Sequence, residues 1–267
     1  MIGQIFNQVI MDPILAADEP HPAEIVNPDG TSPHVLVCEH ASNRIPRALG
    51  TLGLSDADLE RHIAWDIGAA ATARILSKLM DAPLILQRYS RLVYDCNRPP
   101  EAESAMPPVS EVYDIPANRN LTPAAKMART SAIARPFHQA IEAFLDQRAV
   151  VGRQTILTSI HSFTPVYKGK PRDLDVGFLF DRDVWLANFL IKVFPTEKAR
   201  LNEPYGPKDG VMYLHNLHAP PRGLKHVMIE IRNDLIADHT GQNAWANYLT
   251  VPLAQAAIKL AAPQTVR

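Results

Sequence analysis

The chain has 267 residues, enough to bury one sizeable hydrophobic core. Its 27 lysine and arginine residues are balanced by 28 aspartate and glutamate residues, and no basic run occurs, so the charge pattern excludes a typical nucleic-acid-binding protein. The two cysteines, Cys38 and Cys96, are too few for a disulfide framework and lack the spacing of a metal-binding Cys-x-x-Cys pair. Both lie in apolar stretches, which predicts buried thiols in a reducing compartment.

The opening stretch, MIGQIFNQVIMDPILAADEP, has neither the positively charged start nor the long apolar run of a signal peptide. No run in the sequence approaches the roughly 18 apolar residues that a membrane-spanning helix needs. We therefore predict a cytoplasmic protein without membrane partners. The sequence carries no indication of an oligomeric state.

Residues 1–32 contain Pro, Asp and Asn with little periodicity, which predicts an irregular N-terminal arm. Residues 33–267 are predicted to form a single domain, because no linker divides them into two cores. Short apolar runs within this domain predict strands at 34–39, 83–88, 91–95, 155–160, 176–180 and 226–231. Helices are predicted over 55–81 with an interruption at Asp66–Gly68, over 122–148 with a kink at Pro136, over 183–194 and over 243–262. Residues 101–116 and 201–222 are predicted loops, and the alternation of strands and helices indicates an α/β fold with a mixed, largely parallel sheet.

Polar residues stand at four predicted strand ends, where open α/β sheets bind their ligands. Packing of the hydrophobic core alone would not require polar residues at these positions. They are Glu39 and His40, then Asp95, Asn97 and Arg98, then His161 and Ser162, and finally Glu230 and Arg232.

His40 and His161 are the candidate metal ligands, because each ends an apolar strand and imidazole is a common ligand of zinc. The third ligand should be a carboxylate. Asp66 is the first choice, because an acid between Trp65 and Ile67 on an apolar segment is expected to be buried, and a buried carboxylate needs a functional or structural partner. Glu39 is the alternative, although adjacent strand residues point to opposite faces, which makes a metal shared by Glu39 and His40 less favourable.

Glu230 lies within the apolar run VMIEIR, where burial would raise its pKa toward the range useful for a general base. A structural ion pair with Arg232 or Arg91 is the alternative interpretation. Arg98, next to Asn97, offers a planar guanidinium that matches a substrate carboxylate. Substrate-binding candidates for the same pocket are Asn97, Arg98, Arg91, Ser162 and Arg232.

The segments CEHASNRIP, AWDIGA, SRLVYDCNRP, SIHSFTP, NEPY and MIEIRNDL, spread over roughly residues 34–240, resemble the N-formylglutamate amidohydrolase family. That family is similar to the zinc carboxypeptidases and to the aspartoacylase and succinylglutamate desuccinylase group. The resemblance implies a phosphorylase/hydrolase-like fold with helices on both faces of the sheet.

The resemblance also implies roles for particular residues. In those relatives a His-x-x-Glu pair and a later histidine hold zinc, an Asn-Arg pair binds the substrate carboxylate, and a late glutamate handles the proton. His40, His161, Asn97 with Arg98, and Glu230 occupy the matching places. Asn43, three residues after His40, departs from the pattern, so the carboxylate ligand must come from elsewhere.

The expected function is hydrolysis of a small N-acyl amino acid with zinc or another divalent metal. N-formyl-L-glutamate, which would give formate and glutamate, is the leading substrate. One alternative is a hydrolase of another N-acyl amino acid or small peptide-like amide. The other is a non-catalytic carboxylate-binding module on the same fold, which the departure at Asn43 keeps open.

Overall fold

The computed structural model describes residues 13–194 and 196–262 of the chain. Within these ranges seven strands form one sheet, and four short strands form two hairpins. The strands are β1 (Ala23–Val26), β2 (His34–Cys38), β3 (Leu84–Gln87), β4 (Val109–Ser110), β5 (Tyr113–Asp114), β6 (Ile156–Phe163), β7 (Val166–Tyr167), β8 (Lys170–Pro171), β9 (Val176–Leu179), β10 (Ala199–Leu201) and β11 (Lys225–Arg232). The helices are α1 (Asp56–Leu59), α2 (Ala69–Met80), α3 (Pro123–Arg129), α4 (Arg135–Val150), α5 (Trp185–Val193), α6 (Tyr213–His218) and α7 (His239–Ala261).

The large sheet has the strand order β1-β3-β2-β6-β11-β9-β10. Strands β3, β2, β6 and β11 run parallel to one another, whereas β1 is antiparallel to β3 and β9 is antiparallel to β11. The last strand, β10, is parallel to β9. The predicted mixed, largely parallel sheet is therefore confirmed, and its parallel strands end at one common edge.

The sheet separates two hydrophobic cores. Side chains alternate along a strand, so Leu36 and Ile160 face the core covered by α2, α5 and α7, while Val37 and Leu157 face the core covered by α4. All residues of β2 and β6 are buried, as expected for strands covered on both faces. The predicted helices on both faces are confirmed. Across the described ranges, no helix combines the length and the apolar character that crossing a membrane requires.

Two predicted helix interruptions are confirmed. Over 122–148, a π-type turn at 130–134 separates α3 from α4, and Pro136 lies in the first turn of α4. Proline has no N–H to donate, so regular helical bonding cannot pass through this point. The interruption predicted at Asp66–Gly68 is longer than expected, since residues 60–68 all lie between α1 and α2, and Gly68 caps α2 with a left-handed φ of 79°.

Gly68 has two reasons to be glycine. Its positive φ disfavours a side chain, and an added Cβ would overlap the carbonyl oxygen of Ile236. The turn that carries Asp66 is therefore packed tightly against the segment that follows β11.

Gly68→Ala is expected to lower the free energy of unfolding by about 3 kcal/mol, because the left-handed backbone and the overlap with Ile236 both act against the methyl group. Denaturant unfolding followed by circular dichroism measures this loss. Gly152→Ala is the matched control: Gly152 also has a positive φ, 69°, but nothing lies within 4 Å of its added Cβ. Its expected loss is about 1 kcal/mol. Equal losses in the two variants would show that the Ile236 contact does not constrain the turn.

The strand predicted at 91–95 is wrong. This segment forms turns, in which Val93 N donates to the Ser90 carbonyl oxygen and Asp95 N donates to the Ala105 carbonyl oxygen. Its apolar residues are buried because they pack into the core covered by α4, and not because they join the sheet.

Two further expectations need correction. The predicted loop over 201–222 contains helix α6, and the predicted irregular arm over 1–32 contains strand β1, which extends the sheet beyond β3. Residues 1–12 of the arm lie outside the described residues. The division of the chain into residues 1–32 and a domain of residues 33–267 stays a prediction.

Candidate active site

The carboxyl ends of β2, β6 and β11 bring the principal candidate residues together. Strand β6 lies between β2 and β11 and is parallel to both. His40 stands two residues beyond β2, while His161 and Glu230 are direct Cα partners on β6 and β11. Strand β6 continues past its predicted end to Phe163, because β11 pairs with it along its whole length.

Asp66 lies at the centre of the cluster. Its Oδ2 is 2.8 Å from His161 Nδ1 and 3.3 Å from His40 Nδ1. The same oxygen accepts a hydrogen bond from Ser162 N at 3.3 Å. The backbone fixes this carboxylate, because Asp66 N donates to the His40 carbonyl oxygen at 2.9 Å. His40, Asp66 and His161 are all buried, and each offers a ligand atom within 4.8 Å of the others.

A second carboxylate lies against the outer nitrogen of each imidazole. Asp95 Oδ1 is 2.8 Å from His40 Nε2 in a hydrogen bond. Glu39 Oε2 is 2.9 Å from His161 Nε2 in a charge contact that lacks hydrogen-bond alignment. Glu39 thus lies at the opposite nitrogen of the His161 ring from Asp66, so the geometry favours Asp66 over Glu39 as the third metal ligand.

The cluster carries an excess of negative charge when both imidazoles are neutral. A neutral imidazole has one N–H, yet each ring here has a carboxylate at both nitrogens. Arg91 supplies one guanidinium, with Nη1 3.3 Å from Asp66 Oδ1 and Nη2 2.7 Å from Asp95 Oδ2. The carboxylates of Asp66, Asp95 and Glu39 against this single guanidinium leave two negative charges.

The pKa values respond to this imbalance. Burial and Arg91 lower the pKa of His40, but Asp95 and Asp66 outweigh them and raise it. Burial also lowers the pKa of His161, and there Glu39 and Asp66 raise it well above its ordinary value. Burial raises the pKa of Asp66, whereas His40 and His161 together bring it down below its usual range. The cluster therefore attracts positive charge.

A divalent metal fits these residues. Two imidazole nitrogens and one carboxylate oxygen are a donor set found in catalytic zinc sites. Two positive charges would balance the two negative charges that remain. Carboxylates at the outer nitrogens would orient the rings, as such acids commonly do for metal-bound histidines. His40, Asp66 and His161 are the residues that could hold the ion.

Glu230 lies next to this cluster and is buried, with 5% of its surface exposed. Burial raises its pKa to about 7, with Asp66 adding to the effect and His161 opposing it. Its Oε2 has no hydrogen-bond partner among the described residues. Over the same residues no ion pair joins Glu230 to Arg91 or Arg232, so the alternative of a structural ion pair is not supported.

A cavity of about 470 Å³ opens onto the cluster, a volume suited to a small-molecule ligand. Its walls include the two histidines, Asp66, Glu230 and four of the predicted substrate-binding residues, namely Asn97, Arg98, Arg91 and Ser162.

The model of the N-formylglutamate amidohydrolase family matches residues 32–237, which is more than three quarters of the chain. The chain belongs to the N-formylglutamate amidohydrolase family. The match covers all six segments that carry the resemblance, and the resemblance is thereby confirmed.

Two solved structures are similar to this family member. Gene product Atu2144 from Agrobacterium tumefaciens is 46% identical with a TM-score of 0.90, and the alignment covers 92% of this chain and 99% of that chain. N-formylglutamate amidohydrolase from Ralstonia eutropha JMP134 is 19% identical with a TM-score of 0.67, over 90% of this chain and 98% of that chain. At that identity the second structure shows the shared hydrolase-like fold alone. No curated protein sequence matches the chain.

The departure at Asn43 has a structural explanation. Asn43 Nδ2 donates to the Leu59 carbonyl oxygen and to Glu60 Oε1, both at 3.1 Å, at the end of α1. In place of a glutamate at this position, Asp66 brings a carboxylate to the histidines from the turn before α2. The loss of the His-x-x-Glu pattern therefore leaves the cluster complete.

Asn97 and Arg98 both line the cavity, but their side chains make different hydrogen bonds. Asn97 uses its whole amide on the backbone, since Nδ2 donates to the Val211 carbonyl oxygen and Oδ1 accepts from Leu214 N. Arg98 Nη1 donates to the carbonyl oxygens of Asn97 and Gly210, each at 2.9 Å. Asn97 thus positions a loop, and Arg98 keeps free donors for a ligand.

Ser162 and Arg91 support the cluster. Ser162 Oγ donates to the Ile67 carbonyl oxygen at 2.8 Å, which fixes the strand against the Asp66 turn. Arg91 is occupied by Asp66 and Asp95. Neither residue is placed as a free substrate ligand, although both line the cavity.

Arg232, a predicted substrate-binding residue, lies outside the cavity wall. Its Nη1 lies 3.0 Å from Asp175 Oδ1, and its Nε donates to Asp234 Oδ1 at 2.8 Å. Nη1 also donates to the Leu174 carbonyl oxygen. Arg232 is absent from the cavity wall because these contacts hold it between the end of β11 and the segment before β9.

Tyr205 and Arg172 are among the lining residues that were not predicted as site residues. Tyr205 belongs to the NEPY segment of the family, so the motif itself was the available signal. Gly177 is the Cα partner of Glu230 on the neighbouring strand. Because Gly177 has no Cβ, the carbonyl oxygen of Glu203 can pack against it. This close approach brings Tyr205 into the site. Burial and then Glu230 raise the pKa of the Tyr205 phenol, so it stays a hydrogen-bond donor. Arg172 stands in an unremarkable polar stretch and gives no signal.

Proposed function

We propose that this member of the family hydrolyses the amide bond of an N-acyl amino acid with a divalent metal, zinc in the leading case. The leading substrate is N-formyl-L-glutamate, which gives formate and glutamate. One observation carries the proposal: a single cavity holds the buried cluster of His40, Asp66 and His161 beside Glu230, whose Oε2 has no hydrogen-bond partner in the part of the chain that the structure describes. Family membership supports amide hydrolysis.

A divalent metal held by His40, Asp66 and His161 would polarise the acyl oxygen and acidify a water molecule. The chain prepares the ligand atoms for this task. Asp95 and Glu39 engage Nε2 of the two rings, so both Nδ1 atoms are directed at Asp66. Hydrogen bonds from Asp66 N to the His40 carbonyl oxygen and from Ser162 N to Asp66 Oδ2 fix the carboxylate between the two rings.

Glu230 would move the proton. Its unpaired Oε2 takes a proton from the attacking water, and the C–N bond then breaks as the same proton passes to the leaving nitrogen. The carboxylate is ionised again at the end of the cycle. A pKa near neutrality suits both transfers, and burial supplies it.

Arg98 would bind a carboxylate of the amino acid through its free donors. Asn97 supports it indirectly by holding the backbone at 211 and 214. A carboxylate anchored at Arg98 fixes the position of the scissile bond relative to Glu230.

Glu39→Gln and Asp95→Asn are each expected to weaken zinc binding about 10- to 100-fold, because the outer carboxylates orient the imidazoles and increase their basicity. Zinc titration against a competing chelator measures the change. Glu24→Gln is the control, since Glu24 pairs with Arg74 and Arg88 away from the cluster. Wild-type zinc affinity in both site variants would contradict the assigned positioning role.

The rate of hydrolysis is expected to depend on an ionised Glu230, so kcat/KM should fall about tenfold per pH unit below its pKa. That pKa is about 7 without metal. A bound cation favours the charged carboxylate and lowers the pKa, which places the ascending limb of the profile at or below neutral pH. A pH profile of kcat/KM for N-formyl-L-glutamate checks this. A limb that persists unchanged in Glu230→Gln would belong to another group.

The test of the proposed function is a comparison of N-formyl-, N-acetyl- and N-succinyl-L-glutamate as substrates of the metal-loaded protein. The proposal expects formate release from the formyl compound with the highest kcat/KM. Faster hydrolysis of another acyl compound would keep the amidohydrolase and overturn the formyl assignment. Glutamate binding without hydrolysis of any of them would indicate the carboxylate-binding module instead.

A further inference from the structure

Three arginines line the cavity, and two of them lack an acidic partner. Arg91 is engaged by Asp66 and Asp95. Throughout the described part of the chain, no carboxylate lies within ion-pair distance of Arg98 or Arg172, although both line the same cavity. Arg98 has a role in the proposed mechanism, whereas Arg172 has none so far.

Arg172 is held in a cage of aromatic rings. Its guanidinium carbon lies 4.6 Å from the ring centroid of Tyr167, 4.8 Å from that of Tyr205 and 5.7 Å from that of Phe163. Its Nη1 donates to the Thr164 carbonyl oxygen at 3.3 Å and to Tyr205 Oη at 3.1 Å. Stacking and these two bonds fix the plane of the guanidinium.

The contacts of Arg172 use Nη1 alone. Nε and Nη2 have no acceptor among the described residues, and these two donors form the edge that can bind a carboxylate in bidentate fashion. Arg98 presents the same free edge, because its bonds to Asn97 and Gly210 also use only Nη1. Two of the arginines that line the cavity therefore each keep a carboxylate-binding edge without a partner among the described residues.

One loop anchors both arginines. Tyr205 contacts Arg172 and Gly210 contacts Arg98, and these anchors are five residues apart in the sequence. Arg98, Arg172 and Tyr205 all line the one cavity of about 470 Å³, a volume suited to a small molecule. A molecule of amino-acid size in this cavity can therefore meet both guanidinium groups.

We propose that Arg172 binds a second carboxylate of the substrate, so that Arg98 and Arg172 each hold one carboxylate of an N-acyl dicarboxylic amino acid. This inference rests on the proposed function and identifies the residue that makes the enzyme prefer a diacid. The competing role for Arg172 is purely structural: it would only tie the chain after β6 to the loop at Tyr205.

The test compares N-formyl-L-glutamate with its two monoamides, N-formyl-L-glutamine and N-formyl-L-isoglutamine, which each lack one carboxylate at nearly constant size. Arg172→Met is expected to lower kcat/KM for the diacid about 10- to 100-fold, mainly through KM, because a charged hydrogen-bonding pair is lost. The variant should also lose the preference for the diacid over one of the monoamides. Arg98→Met should lose the preference over the other monoamide.

A fall by the same factor for all three substrates, or no fall for any, would overturn the proposal, because a structural tie does not distinguish substrate charges. Arg172→Lys is the second variant. Lysine keeps the positive charge but loses the planar guanidinium. Arg172→Lys should therefore show a smaller loss of kcat/KM for the diacid, and a weakened preference over the same monoamide as Arg172→Met. Circular dichroism of both variants establishes that they are folded.

If the wild-type protein hydrolyses none of the three compounds, the proposed function fails while Arg172 can still be tested. Calorimetric titration of L-glutamate, L-glutamine and L-isoglutamine into the zinc-loaded wild-type and Arg172→Met proteins is then the measurement. Tighter binding of glutamate than of both monoamides in the wild type, with one preference lost in the variant, supports the role of Arg172. Equal binding of the three ligands by the wild type would overturn it.

Discussion

Glu230→Gln is expected to lower kcat for N-formyl-L-glutamate by about 10²- to 10⁴-fold while the metal content stays at the wild-type level. Glutamine keeps the shape of the side chain but cannot accept the proton of the attacking water. Glu230 is not a member of the His40, Asp66 and His161 cluster that is proposed to hold the metal, so the metal should remain bound. Steady-state kinetics and metal analysis of the same preparation measure the two quantities together.

The control for this prediction is Glu60→Gln, which changes a glutamate at the end of α1 outside the cavity. It should leave both kcat and the metal content unchanged. Near-normal turnover of metal-loaded Glu230→Gln protein would remove Glu230 from the mechanism and require another proton acceptor in the cavity.

Asp66→Asn is expected to weaken metal binding by more than about 100-fold, a larger loss than the change of an outer carboxylate causes. The substitution removes the negative charge that faces Nδ1 of both His40 and His161. Hydrolysis should fall to the background rate at metal concentrations that saturate the wild type. Chelator competition gives the affinity, and formate release gives the rate.

Glu39→Gln is the matched comparison for Asp66→Asn, because both acids contact His161 but at opposite nitrogens of its ring. The ranking of the two losses tests which carboxylate lies on the metal side. A larger loss of metal affinity in Glu39→Gln than in Asp66→Asn would reverse the assignment and restore Glu39 as the ligand.

The convergence of His40, His161 and Glu230 could be predicted from the sequence because it depends on simple rules of sheets. Each residue stands in or just after an apolar strand, and parallel neighbouring strands end at one edge. Asp66 was predicted by a different argument, namely that an acid flanked by Trp65 and Ile67 is expected to be buried and then needs a partner. Successive side chains of a strand point to opposite faces, which made Glu39 the less favourable metal ligand beside His40. In the structure Glu39 lies at Nε2 of His161.

Other features depend on contacts between distant segments, which spacing along the chain does not reveal. Arg232 stands beside Glu230 in the sequence, yet Asp175 and Asp234 hold it outside the cavity. Arg172 enters the cavity because aromatic residues from two other segments cage it. The segment 91–95 has the composition of a strand, but it pairs with no strand among residues 13–194 and 196–262, and its hydrogen bonds close turns instead.

The most direct test of the central claim is a titration of the metal-depleted wild-type protein with zinc, with formate release from N-formyl-L-glutamate recorded at each addition. A metal site formed by His40, Asp66 and His161 predicts that activity rises linearly, reaches its plateau at about one zinc per chain, and disappears again on chelation. Formate release by the metal-depleted protein at the full rate would contradict it.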